Sequence, residues 1–275
     1  MATSTVMSAG TQLAFFSQVD SNGKMTSWNG SRATVTGVAA GMRQFYGIKQ
    51  ANPAIVEPEF VPITGDDGAL GKIDFPPGDT PEWIMEVAIS DLETVAQLQG
   101  TLVQTIGQAY FGAFQPTDPV YPDICVVYNS KAKNYGLGTK AWQGVIFPVC
   151  SAVPLDRDAY NERTAATYRY KMLAQAVTKT PWGVTINSAN NGTDSPVGLN
   201  FQSDNPIIIQ AYLGNGATTE FFTQKTPVSV AKTIVWTGNG ALATVNSVNT
   251  TTKSFTLSAA PASGADVLVM MEFTP

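Results

Sequence analysis

Short apolar runs with strand character, some of them alternating with polar positions at the two-residue period of a sheet, recur along this chain. The longest run of consecutive strand signals occupies residues 124–186. It opens with Ile124, Cys125, Val126, Val127 and Tyr128, an unbroken apolar stretch, and the turn composition of 129–139, with Gly136 and Gly138, follows. Residues 141–153 form a second strand with Trp142, Val145, Phe147, Val149 and Val153 apolar. Pro148 inside it has no N–H to give to a ladder, so the strand needs an edge position or a bulge there. After a charged connector at 154–163, residues 166–177 alternate cleanly. Tyr168, Tyr170, Met172, Ala174 and Ala176 share one face, while Thr167, Arg169, Lys171 and Gln175 take the other. Pro181, Trp182 and Gly183 close that strand, and residues 184–186 begin another.

From its start, the chain opens with a small, polar, aperiodic arm at 1–10. Strand-like runs fill 11–19 and 24–38, with Asn22 and Gly23 as a hairpin-turn pair. Residues 47–83 break the pattern. Pro53, Pro58, Pro62, Pro76, Pro77 and Pro81, with Gly65, Gly68, Gly71 and Gly78, predict a long loop with at most short strands inside it. Strand character returns at 83–89. Ser90 followed three residues later by Glu93 then matches a capping box, and Leu92, Val95, Leu98, Leu102, Val103 and Ile106 recur at helical steps, which predicts a helix over about 91–107 packed on a sheet.

The polar, turn-rich segment 187–205 is read as a domain boundary. Beyond it come short strands at 206–213, 219–223, 229–237, 241–248, 254–257 and 266–273, separated by Gly- and Asn-rich turns, the spacing of a small sandwich. The fold class is therefore mainly β: a sandwich- or barrel-forming domain at 1–198 with one packed helix, and a small C-terminal β-sandwich at 199–275. The tail is expected to be separable and outward-facing.

Composition narrows the chemistry. Among 275 residues only 13% are charged, about half the usual quarter, so much of the polar surface is uncharged and cheap to desolvate, as in a subunit that buries its exterior against copies of itself. The net charge is -5, and no Lys/Arg cluster is available to grip phosphates. Thirteen of the sixteen bases precede residue 199. Between 57 and 93, ten acids face the single base Lys72, a local balance of 1 minus 10, or -9. There is no histidine, which excludes Ser-His-Asp and Cys-His sites and the common His-based metal centres, and two cysteines cannot build a zinc site. Cys125 and Cys150 fall on neighbouring strands and read as two small buried apolar residues in preference to a disulfide. Asp66/Asp67 and Asp156/Asp158 are the candidate carboxylate pairs, but a glycosidase pair needs acids opposed across a cleft, and adjacent residues such as Asp66 and Asp67 point to opposite faces of a strand. The expectation is no catalytic site, no metal and no cofactor. No apolar run reaches the roughly 20 residues of a membrane span, and the start lacks the pattern of a signal peptide, so a protein kept in the cytoplasm is expected.

Several stretches carry a resemblance. The acidic Pro/Gly-rich loop is followed by a strand, by Ser90-Asp-Leu-Glu-Thr-Val-Ala-Gln-Leu-Gln-Gly100, by Trp142-Gln-Gly-Val-Ile-Phe-Pro148 and by Tyr168-Arg-Tyr-Lys-Met172. In that order they resemble the tail tube (major tail) proteins of long-tailed bacteriophages over roughly residues 1–200. The stretch Gly214-Asn-Gly-Ala-Thr-Thr-Glu-Phe221, with Pro227 and a later Ala260-Pro-Ala-Ser-Gly264, is similar to small modules of phage virion proteins. The resemblance implies hexameric rings whose inner sheets join into one closed barrel. These rings would stack into a tube in the virion, assembled in the host bacterial cytoplasm alongside other tail proteins, and DNA would pass through without specific binding. It also implies that the long loop reaches toward a neighbouring ring, with Asp66, Asp67, Asp74, Asp79 and Glu82 as inter-ring candidates. Two other classes fit the same composition: a capsid decoration or tail-fibre protein, and a carbohydrate-binding module using Trp182 and Trp236.

Overall fold

Alternation along the chain becomes nineteen strands and one α-helix among the described residues, which in the computed structural model are 6–20, 25, 33–34, 42–51, 59–65, 68–75, 81–89, 92–101, 103–111, 121–134, 141–157, 167–177, 197–238 and 240–275. Strands β1 (Val6–Gln18), β2 (Ala33–Thr34), β3 (Arg43–Ala51), β4 (Glu59–Gly65), β5 (Gly68–Phe75) and β6 (Glu82–Ile89) precede helix α1 (Leu92–Leu98). Then come β7 (Gln104–Ile106), β8 (Ala109–Phe111), β9 (Asp123–Asn134), β10 (Trp142–Arg157), β11 (Tyr168–Ala174) and β12 (Leu199–Ser203). The C-terminal part holds β13 (Ile207–Leu213), β14 (Glu220–Phe222), β15 (Thr233–Thr237), β16 (Ala241–Ala243), β17 (Val245–Asn249), β18 (Ser254–Leu257) and β19 (Asp266–Glu272).

Six of these strands close on themselves. In the order β1, β3, β6, β11, β10, β9 and back to β1, every neighbour is antiparallel, and closure satisfies ladder groups that an open sheet would leave at its edges. The 16-residue β10 makes this possible by changing partners. Its first part, from Trp142 to Ile146, pairs with β12, and its second, from Cys150 to Arg157, pairs with β11, while β9 runs along its other side. Pro148 sits between the two halves, where the register with β9 shifts between Phe147 and Cys150. The bulge expected from the sequence is thus the fork of the sheet.

The barrel is filled. Phe16, Phe45, Trp83, Met85, Tyr128, Phe147, Tyr170 and Met172 form one buried cluster drawn from all six strands. Phe16 stacks on Phe45 with centroids 4.4 Å apart, Trp83 lies 4.6 Å from Phe147, and Trp83 Nε1 donates to the Tyr128 hydroxyl at 3.3 Å. Each such side chain contributes about 1.5–3 kcal/mol through burial. Gly144 is required by close approach: a Cβ there would lie 1.9 Å from the Tyr128 carbonyl oxygen and 2.5 Å from the Phe201 ring.

The opposite face of β1, β9 and β10 is also apolar and also buried. Phe15, Cys125, Val127 and Ile146 join one cluster with Ile208, Tyr212, Phe221, Trp236, Phe255 and Phe273 of the C-terminal part. The Phe15 and Phe273 rings meet edge-on at 5.7 Å. The sandwich consists of a five-stranded sheet, β16-β15-β19-β13-β2, and a three-stranded sheet, β14-β18-β17. Its first sheet includes β2 from the N-terminal part, paired parallel to β13. Between the sheets Tyr212 contacts Phe221 at 5.3 Å and Phe255 at 6.1 Å, and its hydroxyl donates to the Phe222 carbonyl at 2.8 Å. The 214–221 and 260–264 stretches meet. Gly214 N–H donates to Ala265 O, Gly216 N–H to Pro261 O and Gly264 N–H to Gly214 O, at 2.8–3.0 Å.

Four expectations change. The boundary at 198/199 moves to 204–206, because β12 belongs to the barrel sheet through β10. The tail is not hung on a linker, because its core is continuous with the outer face of the barrel. The helix predicted over about 91–107 ends at Leu98. Gly100, at φ 67, places Thr101 N–H on the Ala96 carbonyl (2.8 Å) and its own N–H on Gln97 (2.9 Å), a Schellman stop that overrides the apolar spacing continuing through Leu102, Val103 and Ile106. Finally, the loop predicted at 47–83 contains the end of β3 and a β4–β5 hairpin of 7- and 8-residue strands. Pro62 is accommodated because, among the described residues, β4 has only β5 as a neighbour. Ser90 and the Asn22-Gly23 pair lie outside the described residues, although Val19 and Met25 bridge antiparallel on either side of that pair.

Candidate assembly surface

Two hairpins stand apart from the large sheets. The β4–β5 hairpin is a two-stranded sheet with no third strand among the described residues, and so is β7–β8. Such a ribbon is marginally stable alone in water. The β4–β5 register sets Glu59 opposite Phe75, Val61 opposite Ile73 and Ile63 opposite Gly71, with Phe60 opposite Asp74 and Pro62 opposite Lys72 in the alternate rows. One row of positions is therefore largely apolar and the other mixed and charged. The β7–β8 hairpin, which the helical spacing concealed, exposes Ile106 by 62% and Phe111 by 51%. Gly107 and Gln108 between two short β-branched and aromatic runs were the available signal for it.

Of the five acidic candidates, two are among the described residues, and they lie on different sheets. Asp74 is on β5, opposite Phe60. Asp66 and Asp67, which separate β4 from β5 in the sequence, and Asp79 lie outside the described residues. Glu82 begins β6 in the barrel wall, opposite Leu173, and its exposed carboxylate pairs with Lys171 at 2.7 Å. Such a surface pair contributes little to stability, about 0–1 kcal/mol.

Reactive chemistry is damped where it is described. Burial pushes the thiols of Cys125 and Cys150 up, the latter to about 12, so both are held as thiols. They occupy different clusters, Cys125 on the sandwich side of β9 and Cys150 inside the barrel, and neither is disulfide-bonded. Burial likewise raises the hydroxyls of Tyr128 and Tyr212. Asp156 lies on β10, and Asp158 falls outside the described residues. Among the described residues no three His, Cys, Asp or Glu side chains gather as metal ligands, and no helix is long and apolar enough to cross a membrane. Trp236 is buried, and Trp182 is outside the described residues.

The barrel and sandwich are tied by polar groups as well as by their core. Asn129 exchanges two hydrogen bonds with the backbone of Ile207. Glu272 accepts from Asn205 N–H and Nδ2 at 3.1 and 3.2 Å and pairs with Lys232 at 3.1 Å, and Lys232 also pairs with Asp204. Those two carboxylates, Asp204 foremost, hold the Lys232 ammonium above its ordinary value. A shallow, uncharged depression of about 490 Å³ lies over β9, β10 and β12, lined by Ser130, Gln143, Gly144, Val145, Asn200, Phe201 and Gln202. The sequence matches no protein-family model and no curated protein.

Proposed function

We propose that this chain is a structural virion subunit that polymerises with copies of itself, as stacked hexameric rings, into the tail tube of a bacteriophage and so lines the conduit for DNA ejection. The observation that carries this reading is the pairing of a barrel with a filled core and a β4–β5 hairpin that has no third strand among the described residues. A filled barrel is not a pore, so a conduit built from this chain needs several copies around a common axis. A two-stranded ribbon with a largely apolar row gains stability when a neighbour covers it. A net charge of -5 suits a wall past which phosphate slides, since a basic wall would hold DNA. The sandwich, fused to the outer face of β1, β9 and β10, is carried outward on the ring as a rigid part of each subunit. No reaction is required of such a protein, and none is proposed.

Deleting residues 66–71, between and into the hairpin strands, tests the reading. Full-length protein is expected to sediment as large assemblies. The deletion variant should keep the far-ultraviolet circular dichroism of the subunit and stay in the supernatant at the same concentration and salt. Assembly unchanged by the deletion would remove the hairpin from the mechanism.

A further inference from the structure

We infer that the seam between barrel and sandwich holds a carboxylate-binding pocket centred on Lys225, and that its occupant is an Asp or Glu side chain of a second copy of this chain. The inference rests on the proposed self-assembly and names a contact within it. The pocket is an open depression of about 360 Å³, lined by Phe15, Met42, Gln44, Tyr46, Gln224 and Lys225. Arg43 also borders it, but its guanidinium is engaged by Glu93 and Thr94 of α1.

Lys225 is differently placed. Its Nζ lies 5.8 Å from the ring centroids of both Phe15 and Phe273, one ring from each half of the molecule, and donates to Gln44 Oε1 at 3.3 Å. No carboxylate pairs with it among the described residues, in contrast to Lys171 and Lys232. The two rings and the single amide fix a half-buried ammonium beside the depression with N–H donors to spare. A cation so placed, with an apolar wall on one side and the amides of Gln44 and Gln224 on the other, is complementary to a carboxylate entering from outside. The chain itself supplies the complement in excess: its net charge is -5, and ten acids against one base lie between 57 and 93.

Zero-length carbodiimide coupling on assemblies of mixed light and ¹⁵N-labelled full-length protein, read by mass spectrometry, provides the test. The expected product is an isopeptide joining Lys225 of one copy to an Asp or Glu of the other isotope. With Lys225→Met, self-association should be about tenfold or more weaker, and Lys225→Arg should retain it. Assembled wild-type protein in which Lys225 couples to no other copy would overturn the inference and leave the tube reading standing. So would tubes from Lys225→Met equal to those of the wild type, or coupling of Lys225 only to added succinate. A wild type that never associates would overturn both.

Discussion

The side-chain amide of Asn129 and the backbone of Ile207 exchange two hydrogen bonds: Asn129 Nδ2 donates to the Ile207 carbonyl at 3.0 Å, and Ile207 N–H donates to Asn129 Oδ1 at 2.7 Å. Asn129 is fully buried on β9, and Ile207 opens β13, so one side chain of the barrel takes the place of a strand at the first residue of the sandwich. Replacing Asn129 with Ala orphans a buried donor and a buried acceptor together. The expected loss is about 2–4 kcal/mol, read as a lower urea midpoint with an unchanged slope. A loss below the measurement error would mean that the seam is held by its apolar contacts alone.

Gly144 permits a close backbone approach in the barrel wall, opposite Asn129 on one side and Phe201 on the other. A methyl group placed 1.9 Å from the Tyr128 carbonyl oxygen must push backbone aside, so Gly144→Ala is expected to destabilise by about 3 kcal/mol or more. Thermal unfolding of the variant measures it. Gly238→Ala is a fitting control, because its Cβ would meet nothing within 4 Å and only its positive φ would oppose the change.

Much of this was legible from the chain. The strands and turns of the sandwich fall where alternation and Gly/Asn turn pairs put them, and Tyr170, Met172 and Ala174 are buried on the face their spacing marks. The joining of barrel and sandwich was written less openly, in the absence of alternation from Ile124 to Tyr128. A strand with both faces apolar is a strand buried on both faces, and here one face fills the barrel while the other supports the sandwich. Closure through the fork in β10 depends on partners far apart in sequence, which no local period reports. The end of α1 was hidden because a single glycine in the left-handed region outweighs about two further turns of apolar spacing. The acidic candidates were chosen by charge and proline content, and neither specifies the hairpin register that separates Asp74 from Glu82.

The shared core makes a prediction about truncation. A chain ending after Ser203 uncovers Phe15, Cys125, Val127 and Ile146 on the outer wall of the barrel, a contiguous apolar patch on a closed sheet. Such a fragment is expected to bind a hydrophobic dye more strongly than the full chain, or to form irregular aggregates. A soluble, dye-silent fragment that assembles normally would show the sandwich to be dispensable.

Alkaline pH should weaken the fold. The folded protein holds the protons of Cys125 and Cys150 more tightly than the ordinary 9.0, and those of Tyr128 and Tyr212 more tightly than the ordinary 10.0, because burial opposes their anions. Unfolding therefore releases protons above pH 9.0. This contribution to stability is complete below that value and is lost as pH rises through about 12, the value for Cys150. Urea midpoints measured from pH 7 to 11 should be flat at first and then fall. Cys125→Ala/Cys150→Ala should soften the first part of the fall.

Negative-stain electron microscopy of the purified full-length chain, taken across a concentration series, tests the central claim most directly. The account predicts rings with a central opening and, at higher concentration, tubes made by stacking them, with six subunits in end-on class averages. Isolated particles of a single subunit's size at every concentration, or a closed assembly without a central channel, would contradict it.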